Sequence, residues 1–133
     1  MSAQIPVKVK VKTVINKEPY ELTAFGRYSE KGDSTYLQYD EMMPEGTIHT
    51  TVKLKNGEVL ILRKGAVDMR LHFIPNKTTP GTFHTAHGSM LTEAKTKKIS
   101  IGVGQVEVRY DLKIQGSNAG TYQMNINYEE VSE

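Results

Sequence analysis

Residues 48–65, IHTTVKLKNGEVLILRKG, contain a turn signal between two stretches of strand-like sequence. Apolar and polar residues alternate over residues 48–54, and residues 59–62 form an uninterrupted apolar run. Asn56-Gly57 between them suits a type I′ turn, which needs positive φ at both central residues. Strands joined by so short a loop run antiparallel, since a parallel pair needs a crossover of a dozen or more residues. The stretch therefore predicts a β-hairpin.

The alternation that marks a half-buried strand returns along most of the chain. In residues 7–14, VKVKVKTV, three valines face one side and three lysines the other. Residues 20–31 and 82–101 are extended but less regular, and Gly88 divides the second of these if it breaks the strand. Further alternating segments span residues 36–42, 67–73, 106–114 and 122–128, and the remaining turn signals are Asn16–Pro19, Gly32-Asp33, Pro44–Gly46, Gly65-Ala66, Pro75–Gly81, Gly102–Gly104 and Gly116–Gly120.

These segments amount to nine or ten strands, with no convincing helix among them. An open sheet of that width would expose two edges and an apolar face, so it has to split into a sandwich or close on itself. Short connections in sequence order favour an up-and-down barrel over a Greek-key sandwich. The sequence thus predicts an all-β fold, a closed antiparallel up-and-down β-barrel of about 9–10 strands. Residues 1–133 are expected to form one domain.

Composition excludes several functional classes. Lys and Arg number 17 against 15 Asp and Glu, and a net charge of +2 is too small to argue for nucleic acid or an anionic membrane. The chain has no Cys, which removes disulfides and thiolate catalysis. Its first ten residues, MSAQIPVKVK, lack the apolar run of a secretory signal, and no segment approaches a bilayer span. We expect a soluble cytoplasmic protein with no membrane partner.

No motif in the chain predicts catalysis or a cofactor. His84 and His87 are three residues apart on a strand and project to opposite faces, which disfavours a shared metal ion. Ser89 lacks a surrounding G-x-S-x-G elbow, and Gly102–Gly104 is a hairpin turn too short for a dinucleotide fingerprint. The lysine stripe of residues 7–14 carries no aromatic residue on which a nucleic-acid base could stack. We expect a protein that is not an enzyme, with no cofactor, no metal and no nucleic-acid partner.

The end of the quoted stretch places two cations after the apolar run. Arg63 shares a strand face with Val59 and Ile61, whereas Lys64 shares the other face with Leu60 and Leu62. One of the two cations therefore points towards a core. In residues 36–42, Tyr39 and Glu41 share a face, so a carboxylate also ends an apolar row. A buried guanidinium needs a carboxylate or several carbonyl groups as partners.

Four segments together resemble a known family: STYLQYDE (34–41), LILRKGAVDMRLHF (60–73), FHTAHGSM (83–90) and VEVRYDLKI (106–114). In order and spacing they resemble the YwiB-like family of uncharacterised bacterial proteins, over about residues 20–131. The resemblance implies a calycin-like β-barrel, similar in shape to lipocalins, without an assigned activity. Ala86-His87 departs from the Pro-aromatic pair frequent in that family. Family positions are matched at Thr35, Tyr36, Leu37, Tyr39, Glu41, Arg63, Gly65, Met69, Phe73, Thr85, Gly88 and Tyr110.

The resemblance implies that Arg63 points inward, where Glu41 could meet it. Three interpretations stay open: a structural ion pair that holds the barrel end in register, which is the favoured one; a site for the carboxylate or phosphate of a ligand; or an arginine that faces water. The tentative ligand-binding residues in the barrel interior are Arg63, Glu41, Tyr39 and Tyr110. Tyr36, Tyr122 and Tyr128 are additional candidates for an amphipathic lining.

We expect a barrel that binds a small apolar or amphipathic ligand, as a monomer or homodimer. A cavity of roughly 300 Å³ or more with Arg63 on its wall would favour this function. The alternative is an adaptor or regulatory protein that binds a protein or nucleic acid through its outer surface. An enzyme with an unrecognised substrate comes third.

Overall fold

The computed structural model describes residues 4–131, and every regular element among them is a β-strand. No helix in this part of the chain is long and apolar enough to span a bilayer. The strands are β1 (Ile5–Ile15), β2 (Glu18–Lys31), β3 (Ser34–Met43), β4 (Gly46–Lys55), β5 (Glu58–Gly65), β6 (Asp68–Phe73), β7 (Thr78–Thr85), β8 (Gly88–Gly102), β9 (Gln105–Ile114) and β10 (Ser117–Glu130).

The ten strands form one closed antiparallel sheet in which each strand pairs with its neighbours in sequence. Pairing of β1 with β10, from Val7 opposite Glu130 to Ile15 opposite Tyr122, completes the circle. The predicted closed up-and-down barrel is confirmed, and Gly88 does begin a tenth strand. The turn expected over Pro75–Gly81 is wrong in its second half, because β7 already begins at Thr78.

The Asn56-Gly57 turn has the predicted conformation, with φ of 52° at Asn56 and 76° at Gly57. It sets Lys55 opposite Glu58 and so fixes the register of β4 against β5. Asn16-Lys17 and Gln115-Gly116 also have positive φ at two successive residues. Neither pair carries as strong a turn signal as Asn-Gly, since Lys and Gln rarely adopt this conformation.

Alternate residues of every strand point into the barrel and form its core, as the period-two pattern predicted. The middle of the barrel is solid, and side chains such as Phe73, Val9 and Val108 are fully buried there. Tyr36 was wrongly expected to line the interior. It lies on the outer face, where the ammonium groups of Lys31 and Lys53 stand 6.0 and 5.8 Å from the centre of its ring.

Two inward-facing threonines of β8, Thr92 and Thr96, are each only 1% exposed, and their hydroxyls have no hydrogen-bond partner among residues 4–131. Thr79 of β7 is buried as well, but its hydroxyl donates to the carbonyl oxygen of His72. An unpaired buried hydroxyl costs free energy that a methyl group of the same size does not.

We therefore expect Thr96→Val to raise the free energy of unfolding by about 1 kcal/mol, because it removes an unpaired polar group at nearly constant volume. The matched control Thr79→Val should lower it by about 1 kcal/mol, because it takes the donor away from the His72 carbonyl. Urea denaturation of the three proteins measures both changes. A loss of stability in Thr96→Val equal to that in Thr79→Val would contradict the conclusion that the Thr96 hydroxyl is unpaired.

Candidate functional site

A cavity of about 380 Å³ occupies one end of the barrel, where β3 and β5 end and β4 and β6 begin. We call it the Arg63 cavity. Its size lies within the range of small-molecule sites, about 300–1,000 Å³. Most of its wall is apolar or aromatic, and the lining residues are Val11, Thr13, Ile15, Tyr20, Glu21, Leu22, Tyr39, Glu41, Thr50, Ile61, Arg63, Met69, Leu71, Tyr110, Leu112, Tyr122 and Met124.

Strand register brings the polar groups of this cavity together. Tyr39 lies opposite Thr50, Thr50 lies opposite Arg63, and Arg63 lies opposite Met69, so four adjacent strands present one row across the interior. Glu41 follows Tyr39 by two residues and therefore lies on the same face, one step nearer the barrel end. The site is thus built on paired strands, which hold its side chains more rigidly than loops would.

Glu41 and Arg63 form a two-pronged ion pair inside the barrel end. Arg63 Nε donates to Glu41 Oε2 and Arg63 Nη2 donates to Glu41 Oε1, both at 3.2 Å. The Thr50 hydroxyl donates a third hydrogen bond to Glu41 Oε2 at 2.7 Å. The side chains are 28% exposed for Arg63 and 15% for Glu41, so water still reaches the guanidinium. A fork-to-carboxylate contact of this kind fixes both side chains in orientation.

The ion pair leaves donors unused. It engages two of the five guanidinium N–H groups, and the other three make no hydrogen bond to any side chain or carbonyl of residues 4–131. The rings of Tyr39 and Tyr110 are buried in the wall of the same cavity. The cavity therefore combines a mostly apolar wall with guanidinium N–H groups that the ion pair does not use.

Each tyrosine is held by its own packing contact. Tyr39 lies opposite Gly26 of β2, and a Cβ on Gly26 would stand 2.1 Å from the Gln38 carbonyl oxygen, so only glycine allows the two strands to approach here. Tyr110 packs between Phe73, at 4.4 Å between ring centres, and Tyr122, whose ring stacks on it at 5.0 Å. Such aromatic contacts fix ring orientation and add stability beyond area burial.

Burial controls the ionisation of these tyrosines. Desolvation raises the pKa of the Tyr39 phenol well above its ordinary value; the charge of Glu41 raises it further and Arg63 partly opposes the shift. Desolvation likewise raises the pKa of Tyr110, with Tyr122 adding to the effect and Arg63 opposing it. Both hydroxyls consequently remain protonated donors over the whole neutral range.

The formal charge of the lining is −1, because Glu41 and Glu21 are the acids and Arg63 is the base among the lining residues. Glu21 stands at the rim beside the exposed ring of Tyr20. This balance disfavours a carboxylate or phosphate in the cavity, since a like charge near an acid costs free energy. The unused guanidinium N–H groups suit a neutral acceptor such as a hydroxyl or amide oxygen.

Other polar pairs lie on the outer face of the barrel. His49 contacts Asp40 at 2.7 Å, His72 contacts Glu58 at 2.8 Å, and the His84 ring hydrogen-bonds Ser89 at 2.6 Å. No group of three or more metal-ligating side chains occurs within residues 4–131. A wider and more open groove of about 750 Å³ at the opposite barrel end is lined by Tyr28, Tyr128 and three glutamates, without a cation.

All four residues singled out from the sequence, Arg63, Glu41, Tyr39 and Tyr110, meet on the wall of the Arg63 cavity. Sequence reasoning missed Thr50 as a partner of Glu41. The signal was present in the hairpin: counting equally back and forward from Asn56-Gly57 sets Thr50 opposite Arg63.

Comparison with known proteins gives one consistent result. Residues 5–126 match a family model described as "Domain of unknown function (DUF1934)". The chain is 31% identical over 137 residues to the "Uncharacterized beta-barrel protein YwiB" of Bacillus subtilis (strain 168), covering 97% of this chain and 96% of the relative. The crystal structure of ywiB protein from Bacillus subtilis superimposes with a TM-score of 0.82 at 28% identity, covering 97% of this chain and 94% of that one.

The ion pair leads to a test of coupling. We expect Glu41→Gln and Arg63→Met each to lower the free energy of unfolding by roughly 1–3 kcal/mol, because each leaves a largely enclosed charge without its partner. The double variant should lose less than the sum of the two. A double-mutant cycle from urea denaturation measures this coupling. Strictly additive losses would mean that the two charges do not depend on each other.

The buried tyrosines lead to a test of alkaline stability. The pKa of each tyrosine in the folded protein lies above the unfolded value of about 10. Their contribution to the free energy of unfolding is therefore fully present below pH 10 and is lost as the pH rises above it. Each can steepen the fall in unfolding free energy by up to about 1.4 kcal/mol per pH unit. We expect Tyr110→Phe to flatten that fall, measured by urea denaturation from pH 8 to 11. Parallel curves for wild type and variant over that range would contradict the expectation.

Proposed function

The chain belongs to the DUF1934 family, a domain of unknown function, so its activity has to be argued from its own site. We propose that it binds a small amphipathic ligand in the Arg63 cavity. The ligand's apolar part packs against the aliphatic and aromatic wall, and its neutral polar group accepts hydrogen bonds from the unused N–H donors of Arg63. The observation that carries the proposal is the convergence of free donors on an otherwise apolar cavity of ligand size.

The proposal differs from a purely structural role for the ion pair in one respect. A structural pair would need its two charges and nothing else, whereas Arg63 lines the cavity and keeps three guanidinium N–H groups beyond the two that Glu41 engages. Water still reaches the guanidinium, and a ligand that accepts hydrogen bonds from its free N–H groups takes the place of that water and is fixed in orientation. In this role Glu41 positions the guanidinium.

We further propose that binding is the whole activity, with no reaction catalysed. Support comes from the state of Glu41, the acid inside the cavity, whose oxygens are engaged by Arg63 and Thr50 and so are not free to move a proton. A calycin-like mode of action fits this proposal, since lipocalin-type barrels hold one small ligand inside.

The remaining parts of the proposal concern location and partners. We place the protein in a bacterial cytoplasm, as a monomer or homodimer without a membrane or nucleic-acid partner. A chain without Cys is compatible with a reducing compartment. Acids on the neighbouring strands lie opposite two lysines of the β1 stripe: Glu129 lies opposite Lys8, and Glu21 lies opposite Lys12. These acids weaken the attraction of the stripe for phosphates.

Ten-carbon probes that differ only in their head group test the proposal: 1-decanol, decanoate and decylammonium, titrated by calorimetry. We expect decanol to bind about tenfold more tightly than decanoate, because Glu41 and Glu21 repel the carboxylate and the neutral hydroxyl accepts from Arg63. The Glu41→Gln variant should lose that preference, because its lining carries no net charge and Arg63 is freed to bind the carboxylate. Native mass spectrometry of protein purified from its own host would reveal a natural ligand as added mass.

A cavity-filling change provides the control for location. Thr13→Phe at the half-buried rim of the cavity should weaken all three probes, whereas Tyr36→Phe on the outer face should change none. Failure of every probe to bind at millimolar concentration would overturn the proposal. Unchanged binding in Thr13→Phe would show that the probes bind elsewhere.

A further inference from the structure

The barrel wall has a gap between β2 and β3. Their pairing stops at Gly26 opposite Tyr39. β2 nevertheless continues back to Glu18, paired with β1, and β3 continues to Met43, paired with β4. Extending the register would set Phe25 opposite Asp40 and Leu22 opposite Met43, but these residues do not pair. We call the region bounded by residues 18–25 and 40–43 the seam.

Two free strand edges therefore face each other across the seam. The amide and carbonyl groups that point into it have no ladder partner on that side, and such groups are a template for pairing with another chain. The pairing of β6 with β7 is also short, but it differs in kind. Pro80 cannot donate to a ladder there, and the Thr79 hydroxyl bridges to the His72 carbonyl.

Exposed apolar side chains concentrate at the seam. Among the seven large hydrophobic residues that are exposed within residues 4–131, four flank it: Tyr20, Phe25, Met42 and Met43, at 56%, 70%, 79% and 45% exposure. Native proteins usually protect free edges with charges or Pro; the two edges carry Pro19 and four acids, and the exposed aromatic rings and adaptable thioethers lie among them. Their grouping makes the seam the candidate docking surface of the barrel.

The charge of the seam restricts what covers it. Its two edge segments carry Glu18, Glu21, Asp40 and Glu41, and neither segment contains a Lys or Arg. Glu41 is engaged by Arg63, Asp40 contacts His49, and Glu21 lies opposite Lys12 on the far side, so the remaining field is negative but moderate. A cationic strand suits these edges better than an anionic one.

We propose that the seam binds an extended peptide segment of a partner protein, which pairs with the free edge of β2 as an added strand. In that segment, apolar residues alternate with Lys or Arg. The apolar side chains lie beside Tyr20 and Leu22 on the cavity side, and the cations lie outside beside Glu21, since successive residues of a strand face opposite sides. The proposal does not rest on ligand binding in the Arg63 cavity.

Fluorescent eight-residue peptides test the proposal with the full chain. The probe alternates Val and Lys; one control alternates Val and Glu, and a second is the Val-Lys probe with Pro at two central positions. We expect the Val-Lys probe to bind in fluorescence anisotropy several-fold more tightly than the Val-Glu peptide. The Pro peptide should fail to bind because it lacks ladder donors. Hydrogen exchange should slow within residues 18–25 when the probe is bound.

A reversible lock identifies the site. The chain has no Cys, so Thr23→Cys/Met42→Cys introduces one disulfide that ties the two edges together. We expect the oxidised protein to bind the probe at least tenfold more weakly than the reduced protein. The matched control Arg27→Cys/Gln38→Cys lies where the strands already pair and should bind equally in both redox states.

A charge-reversal substitution tests the same site if the disulfide does not form. Glu21→Lys should weaken the Val-Lys probe and strengthen the Val-Glu peptide, each by several-fold, because it reverses the charge beside the added strand. Three results would overturn the proposal: no binding of the Val-Lys probe, equal binding by the locked protein, or a concentration-dependent dimer that protects residues 18–25 without peptide. The last result would assign the seam to a second copy of the chain.

Discussion

Closure of the sheet through β1 and β10 is the constraint on which the rest of the structure depends. Nine residue pairs join the first strand to the last. They remove the edges that a ten-stranded sheet would otherwise expose, and they turn one face of every strand to a common interior. Once that face is fixed, the inward position of Arg63 follows, because it has the same parity as Val59 and Ile61 in β5.

The interior is divided along its length between solid core and cavity. Phe73, Val9, Val52 and Val108 are fully buried in the middle of the barrel. Towards the Arg63 end, the inward positions carry longer and more polar side chains, which stand around the space instead of filling it. A fully packed barrel end would gain stability from the extra burial. Polar residues at these positions forgo part of that gain.

Much of this arrangement could be predicted from local sequence, and the limits have physical reasons. Alternation and turn residues predict strand number and order, since both signals act over a few residues. The inward face of Tyr39, Glu41 and Tyr110 follows from the same parity. Tyr36 was misassigned because its aromatic character was weighed above its parity. The start of β7 was missed because Thr78–Gly81 contains Pro and Gly, which indicate a turn unless a neighbouring strand holds them extended.

The seam could not be predicted, because ladder pairing between β2 and β3 depends on sheet curvature and not on either strand alone. It also bears on the ion pair. Had the pairing continued, Glu41 would lie opposite Ala24 in a closed wall, and both charges of the pair would lose more contact with water. Desolvation of an ion pair can exceed its Coulombic gain. With the wall open beside it, Glu41 keeps 15% and Arg63 28% of the side-chain surface exposed, so the charges are fixed in geometry yet still partly hydrated. The inward charges thus lie next to the stretch where β2 and β3 do not pair, and their residual hydration lowers the desolvation cost of the ion pair.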